Sequence, residues 1–162
     1  MKTHVCDVRL DKTLRRIERF EVRRIASSTP AELPRCDNAE HARTFVRAEL
    51  SGFDRERIIV LYLSGRNHVV GVETVAIGAE SACAVTMTSI FRGAILSGAR
   101  AIIVAHNHPS GDVGPSPEDL ALLRKLKEAG SILDCPLVDF LIVAEGDSYS
   151  DLHSIEVGRN HA

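Results

Sequence analysis

AIIVAHNHPSGDVGPSPEDLALLRKLKEAG, residues 101 to 130, is the stretch on which the fold turns. Ala101 to Ala105 is an unbroken apolar run, short and rich in β-branched residues, as expected of a buried strand. Pro109, Gly111, Gly114 and Pro115 mark the segment after it as a loop of sharp turns. From near Pro117 the pattern changes to helical spacing, with Leu120, Leu122, Leu123 and Leu126 recurring, and Gly130 is the expected stop. Beyond it, VDFLIVA at 138 to 144 reads as a last core strand.

Upstream, RIIVLYL at 57 to 63 has the composition of a buried central strand. SGRN at 64 to 67 is a turn, and HVVGVETVAIG returns as a second strand, so the two should pair as a hairpin. A helix is predicted from about Glu40, capped by Asn38, with Ala42, Phe45, Val46 and Leu50 on its apolar face and Gly52 at its end. TSIFRGAILS at 88 to 97 is a further helix, with Ile90, Ala94 and Ile95 inward and Gly98 closing it. The sum is an α/β domain of the α+β type, a mixed sheet flanked by helices. Its expected limits are residues 38 to 150. Residues 1 to 37 form an N-terminal extension carrying a strand, and residues 151 to 162 a tail.

Composition narrows the function classes. With 162 residues the chain has enough sequence for one domain with a real core. Its formal charge is −2 and its pI about 6.4, so no global field points to nucleic acid or an acidic membrane. Five arginines fall within residues 10 to 25, but three acids are interleaved, which is the mark of a solvated face. No apolar run is long enough to span a bilayer, and no secretory h-region follows the first lysine. Cys6, Cys36, Cys83 and Cys135 contain no CxxC pair, so they read as free thiols of a cytoplasmic protein.

The chemistry is concentrated where the central strand ends. His106 and His108 lie two apart, so on a regular strand they point the same way. Asp119 follows in the first turn of the next helix, and the loop can fold that helix back beside them. Two imidazoles and one carboxylate suit Zn2+ and leave a fourth position for water. A metal there would bring that water's pKa near neutrality and polarise a carbonyl. Asp119 also has a purely structural reading: Ser116 as helix N-cap and Asp119 as its capping-box partner. The two roles are compatible only if a carboxylate oxygen stays free for the ion.

The full pattern is HxH, seven residues, Ser, two residues, Asp, worded HNHPSGDxxPSxxD. It resembles the JAMM (MPN-domain) metalloprotease signature and, more narrowly, the RadC family, over roughly residues 40 to 145. The resemblance implies an MPN/JAB1-like, cytidine deaminase-like fold and a zinc metallopeptidase, acting on a peptide or isopeptide bond. It further implies metal ligation by His106, His108 and Asp119, and an upstream glutamate as general base, which by position is Glu56. Glu73 on the second hairpin strand competes for that role. Ser116 would donate to the tetrahedral oxyanion. Two positions depart from the RadC pattern: Thr86-Met87-Thr88-Ser89 replaces an HPRE-type segment, and Asp139-Phe140 replaces an Asp-His pair. No helix-hairpin-helix pattern is found in residues 1 to 40.

Three functions compete at this level: a zinc-dependent peptidase or isopeptidase, a repair- or recombination-associated nucleic-acid factor, and a non-catalytic MPN scaffold. Near-neutral charge and few aromatics give the second little support. The intact ligand set disfavours the third. Substrate identity and oligomeric state are not encoded in any motif.

Overall fold

The computed structural model describes residues 34–78, 85–144 and 149–151. The N-terminal strand expected before residue 34 and the tail after Asp151 lie outside these residues.

The elements run α1 (Ala39–Leu50), β1 (Arg57–Leu63), β2 (Val69–Ile77), α2 (Met87–Ser97), β3 (Ala101–His108), α3 (Pro117–Ile132), β4 (Leu137–Ala144) and β5 (Tyr149–Asp151). The strands form one sheet in the order β2-β1-β3-β4-β5. β3 and β4 are parallel and every other neighbouring pair is antiparallel, so the sheet is mixed as expected. The predicted hairpin is present, turning through Asn67 at a positive φ of 58°.

Alternation along the two central strands sorts their side chains onto two faces. Ile58, Val60 and Tyr62 of β1, with Ile102 and Val104 of β3, pack against Ile90, Phe91 and Ala94 of α2 and Leu122, Leu123 and Leu126 of α3. Ile59, Leu61 and Leu63, with Ile103 and Ala105, pack against Ala42, Val46 and Leu50 of α1. Each fully buried side chain of this size contributes about 1.5–3 kcal/mol from the area removed from water. Both faces being covered explains why these strands are apolar throughout and do not alternate with polar residues.

Three local expectations need correction. The central strand does not stop at Ala105 but continues through His108, because β4 pairs with it to Ala144. β5 pairs with β4 and forms that edge of the sheet. Gly130 does not end α3, which runs two residues further to Ile132. It is buried against the chain that turns back into β4: a Cβ there would stand 2.8 Å from the carbonyl oxygen of Cys135. On α2 the inward face is Ile90, Phe91 and Ala94, and Ile95 is 66% exposed. Helical spacing alone could not choose between Phe91 and Ile95. No helix among the described residues is long and apolar enough to cross a membrane.

Candidate metal centre

His106 continues the row of Ile102 and Val104, so the same alternation that builds the core aims it toward α3, and His108 follows two residues on. His106 is fully buried and His108 partly so. Their Nε2 atoms stand 2.9 Å apart. The Nδ1 of His108 lies 2.6 Å from the main-chain carbonyl oxygen of Asp112. A carbonyl can only accept, so that nitrogen carries the hydrogen and Nε2 of His108 is left with its lone pair directed inward.

Asp119 closes the set from the first turn of α3. Its carboxylate divides its work. Oδ2 accepts from the main-chain N–H of Ser116 at 2.8 Å and from the Ser116 hydroxyl at 2.6 Å, while the N–H of Asp119 donates to Ser116 Oγ at 3.1 Å. This is the expected capping box. Oδ1 stands 3.1 Å from His106 Nε2, and Oδ2 is 3.7 Å from His108 Nε2. Capping therefore occupies Oδ2 and leaves Oδ1 facing His106. Burial pushes the Asp119 carboxyl up, but the hydrogen bonds from His106 and Ser116 outweigh it and hold the pKa at about 2.

The donor set fits a small divalent ion. Ligands about 2.0–2.1 Å from one tetrahedral ion lie about 3.3 Å from each other. The contacts of 2.9 Å between the two Nε2 atoms and 3.1 Å between His106 Nε2 and Asp119 Oδ1 lie a little short of that separation. The Nδ1 of buried His106 has no hydrogen-bond partner among the described residues, so this ring directs its polar interactions through Nε2. Phe140 meets the ring edge-on at 5.5 Å.

The two glutamates part company. A carboxylate oxygen of Glu56, a ligand nitrogen of His106 and one of His108 all lie within 4.8 Å of one another. Glu73 lies opposite Val60, level with Val104, and is engaged elsewhere. The Tyr62 hydroxyl donates to its Oε2 at 2.8 Å, and Arg92 pairs with its Oε1. Burial and the adjacent Glu73 carboxylate push the Tyr62 phenol well above its ordinary pKa. Glu73 thus belongs to a Tyr62–Glu73–Arg92 cluster joining β1, β2 and α2, and Glu56 is the glutamate beside the histidines.

A cavity of about 790 Å³ opens beside His108, between the end of α1 and the ends of β3 and β4. Arg47, Leu50, Phe53, Asp54 and Val143 are among its walls. Sequence reading passed over two residues here. Asp112 acts through its main chain and leaves no side-chain signal. Asn107, 6% exposed, is a buried amide in an otherwise apolar row, and such a group needs partners.

Residues 36–155 match the model of the RadC-like JAB domain. Among curated proteins, a UPF0758 protein of Shouchella clausii is 38% identical over 124 residues, covering 76% of this chain and 54% of that protein. A UPF0758 protein of Desulforudis audaxviator is 39% identical over 127 residues, covering 78% and 55%. One from Acaryochloris marina is 40% identical over 125 residues, covering 77% and 51%. The chain thus spans about half the length of the curated relatives it matches.

Proposed function

The chain belongs to the RadC-like JAB domain family, and from that premise we propose that it is a zinc-dependent hydrolase of peptide or isopeptide bonds. The observation that carries this reading is that His106 Nε2 lies beside both His108 Nε2 and Asp119 Oδ1, with the Glu56 carboxylate next to the two histidines. Bound zinc would supply Lewis acidity toward the scissile carbonyl and acidify the attacking water.

The protein's own groups do the rest. His106, His108 and Asp119 would hold the metal, and they stand on two elements whose other sides are packed in the core, so the site is fixed before substrate arrives. Glu56 takes one proton from the attacking water as its oxygen bonds to the carbonyl carbon. It returns that proton to the leaving nitrogen as the C–N bond breaks. Its half-exposed position suits a group that must exchange protons with reactants. Ser116 Oγ is committed to Asp119 in this structure, and it serves the oxyanion only by rotating its hydroxyl away from Oδ2. The cavity beside His108 receives the substrate chain, and its mixed apolar and charged walls suit a peptide segment.

The test is metal analysis of the protein and of His108→Ala, followed by hydrolysis of a peptide pool by the protein and by Glu56→Gln. One zinc per chain, lost in His108→Ala, with hydrolysis lost and zinc kept in Glu56→Gln, is the expected result. A protein that takes up no zinc when it is supplied sinks the proposal.

A further inference from the structure

We propose that Asn107, between the two histidines, is a positioning residue that clasps the main chain on both sides of Glu56 and holds that carboxylate against the histidine pair. The role of Glu56 as base rests on the reading above; the clasp itself does not.

Side-chain alternation sends Asn107 to the face opposite His106 and His108. There the Asn107 Oδ1 accepts from the main-chain N–H of Arg57 at 2.8 Å. Its Nδ2 donates to the carbonyl oxygen of Arg55 at 3.1 Å and reaches that of Phe53 at 3.5 Å. Arg55 and Arg57 are the two chain neighbours of Glu56. The carbonyl of Glu56 itself accepts from Gly78 N–H at 2.9 Å. One amide side chain thus fixes both flanks of the segment that carries the base, and it stands between the two residues that fix the metal.

The chemistry is specific to an amide of this length. The clasp needs one acceptor and one donor on the same short side chain, which asparagine alone supplies here. Aspartate keeps the acceptor for Arg57 and faces the Arg55 carbonyl with like polarity. Leucine has the size and neither function. On fold grounds alone the position calls for an apolar residue, since Ala101, Ile103 and Ala105 occupy the preceding places on that face.

The experiment is residue-resolved amide hydrogen exchange on the full chain, comparing the parent with Asn107→Leu and Asn107→Asp, with zinc stoichiometry measured on each. Loss of one hydrogen bond should speed exchange of the Arg57 amide by about tenfold in Asn107→Leu. Amides of Val60 and Val104 should keep their protection, and Asn107→Asp should restore part of the protection at Arg57. On a hydrolysed peptide, kcat of Asn107→Leu should fall, and Glu56→Gln with Asn107→Leu should be no slower than Glu56→Gln alone. Unchanged exchange at Arg57 overturns the clasp, and so does faster exchange spreading through Val60 and Val104, which would make Asn107 a residue of the fold. A local defect at Arg57 in a protein that binds no zinc supports the clasp and sinks only the hydrolase reading.

Discussion

Asp119→Asn separates the two jobs of one carboxylate. In the variant the single remaining oxygen can still accept from Ser116 N–H, where Oδ2 now does at 2.8 Å. The new amide nitrogen faces His106 Nε2, where Oδ1 stands at 3.1 Å. That nitrogen can donate to the imidazole but cannot ligate a cation. The helix therefore loses one of the two acids in its first turn, worth about 0.5 kcal/mol, and keeps Glu118. Its charge-assisted cap bonds become neutral ones, at a cost of about 1 kcal/mol. For a chain of this length about 1.5 kcal/mol lowers Tm by roughly 3–6 °C. Zinc affinity should fall by more than the ~10–100-fold that follows loss of a ligand's outer hydrogen-bond partner. The assay is thermal unfolding of chelator-treated protein, repeated with zinc. At 100 times Kd the parent gains about 2.7 kcal/mol from the metal, and the variant gains none. A variant that binds zinc within threefold of the parent would remove Oδ1 from the ligand set. A Tm loss beyond about 12 °C would show that the carboxylate cannot be divided in this way.

Gly93→Ala should destabilise the domain by about 2–4 kcal/mol, read from denaturant midpoints. Its Cβ would stand 2.1 Å from the Tyr62 hydroxyl oxygen and 2.6 Å from Glu73 Oε2, so the cluster must open. Gly130→Ala should also destabilise, although alanine is the better helix former by about 1 kcal/mol. Main-chain atoms of Cys135 and Leu137 at 2.8 and 3.3 Å leave no room for the methyl group. In metal-free protein, acid should cost stability in a defined window. Asp119 titrates at about 2 when folded against an ordinary 3.8, so its contribution is complete above about pH 4 and is lost as the pH falls through 2. Urea midpoints between pH 5 and 2 should fall more steeply in the parent than in Asp119→Asn, with a difference of about 2 kcal/mol at most.

The parts of this structure legible in the sequence were those set by periodicity. Period two along β3 places His106 and His108 together and extends the core row to the ligands, and the same count sends Asn107 the other way. Ser116 and Asp119 offered both a cap and a ligand reading; which oxygen meets Ser116 and which meets His106 depends on where α3 packs. Gly130 and Ile95 were misread because contact with the chain at Cys135, and the roll of α2 over the sheet, are tertiary facts that helical spacing does not carry. Glu56 and Glu73 could be separated only by strand register. Glu73 falls level with Val104, where Tyr62 and Arg92 take it up, whereas the chain before β1 brings Glu56 to the end of β3.

The orientation of His108 is set by a carbonyl oxygen and not by a side chain. Every residue has such an oxygen, so substitution at Asp112 leaves the imidazole's anchor chemically intact. What the anchor depends on is the count of residues between His108 and that carbonyl, and the turn that brings it round. Position 112 can therefore drift in identity at little cost to the imidazole, while insertion or deletion of a single residue there would misdirect His108 without altering it.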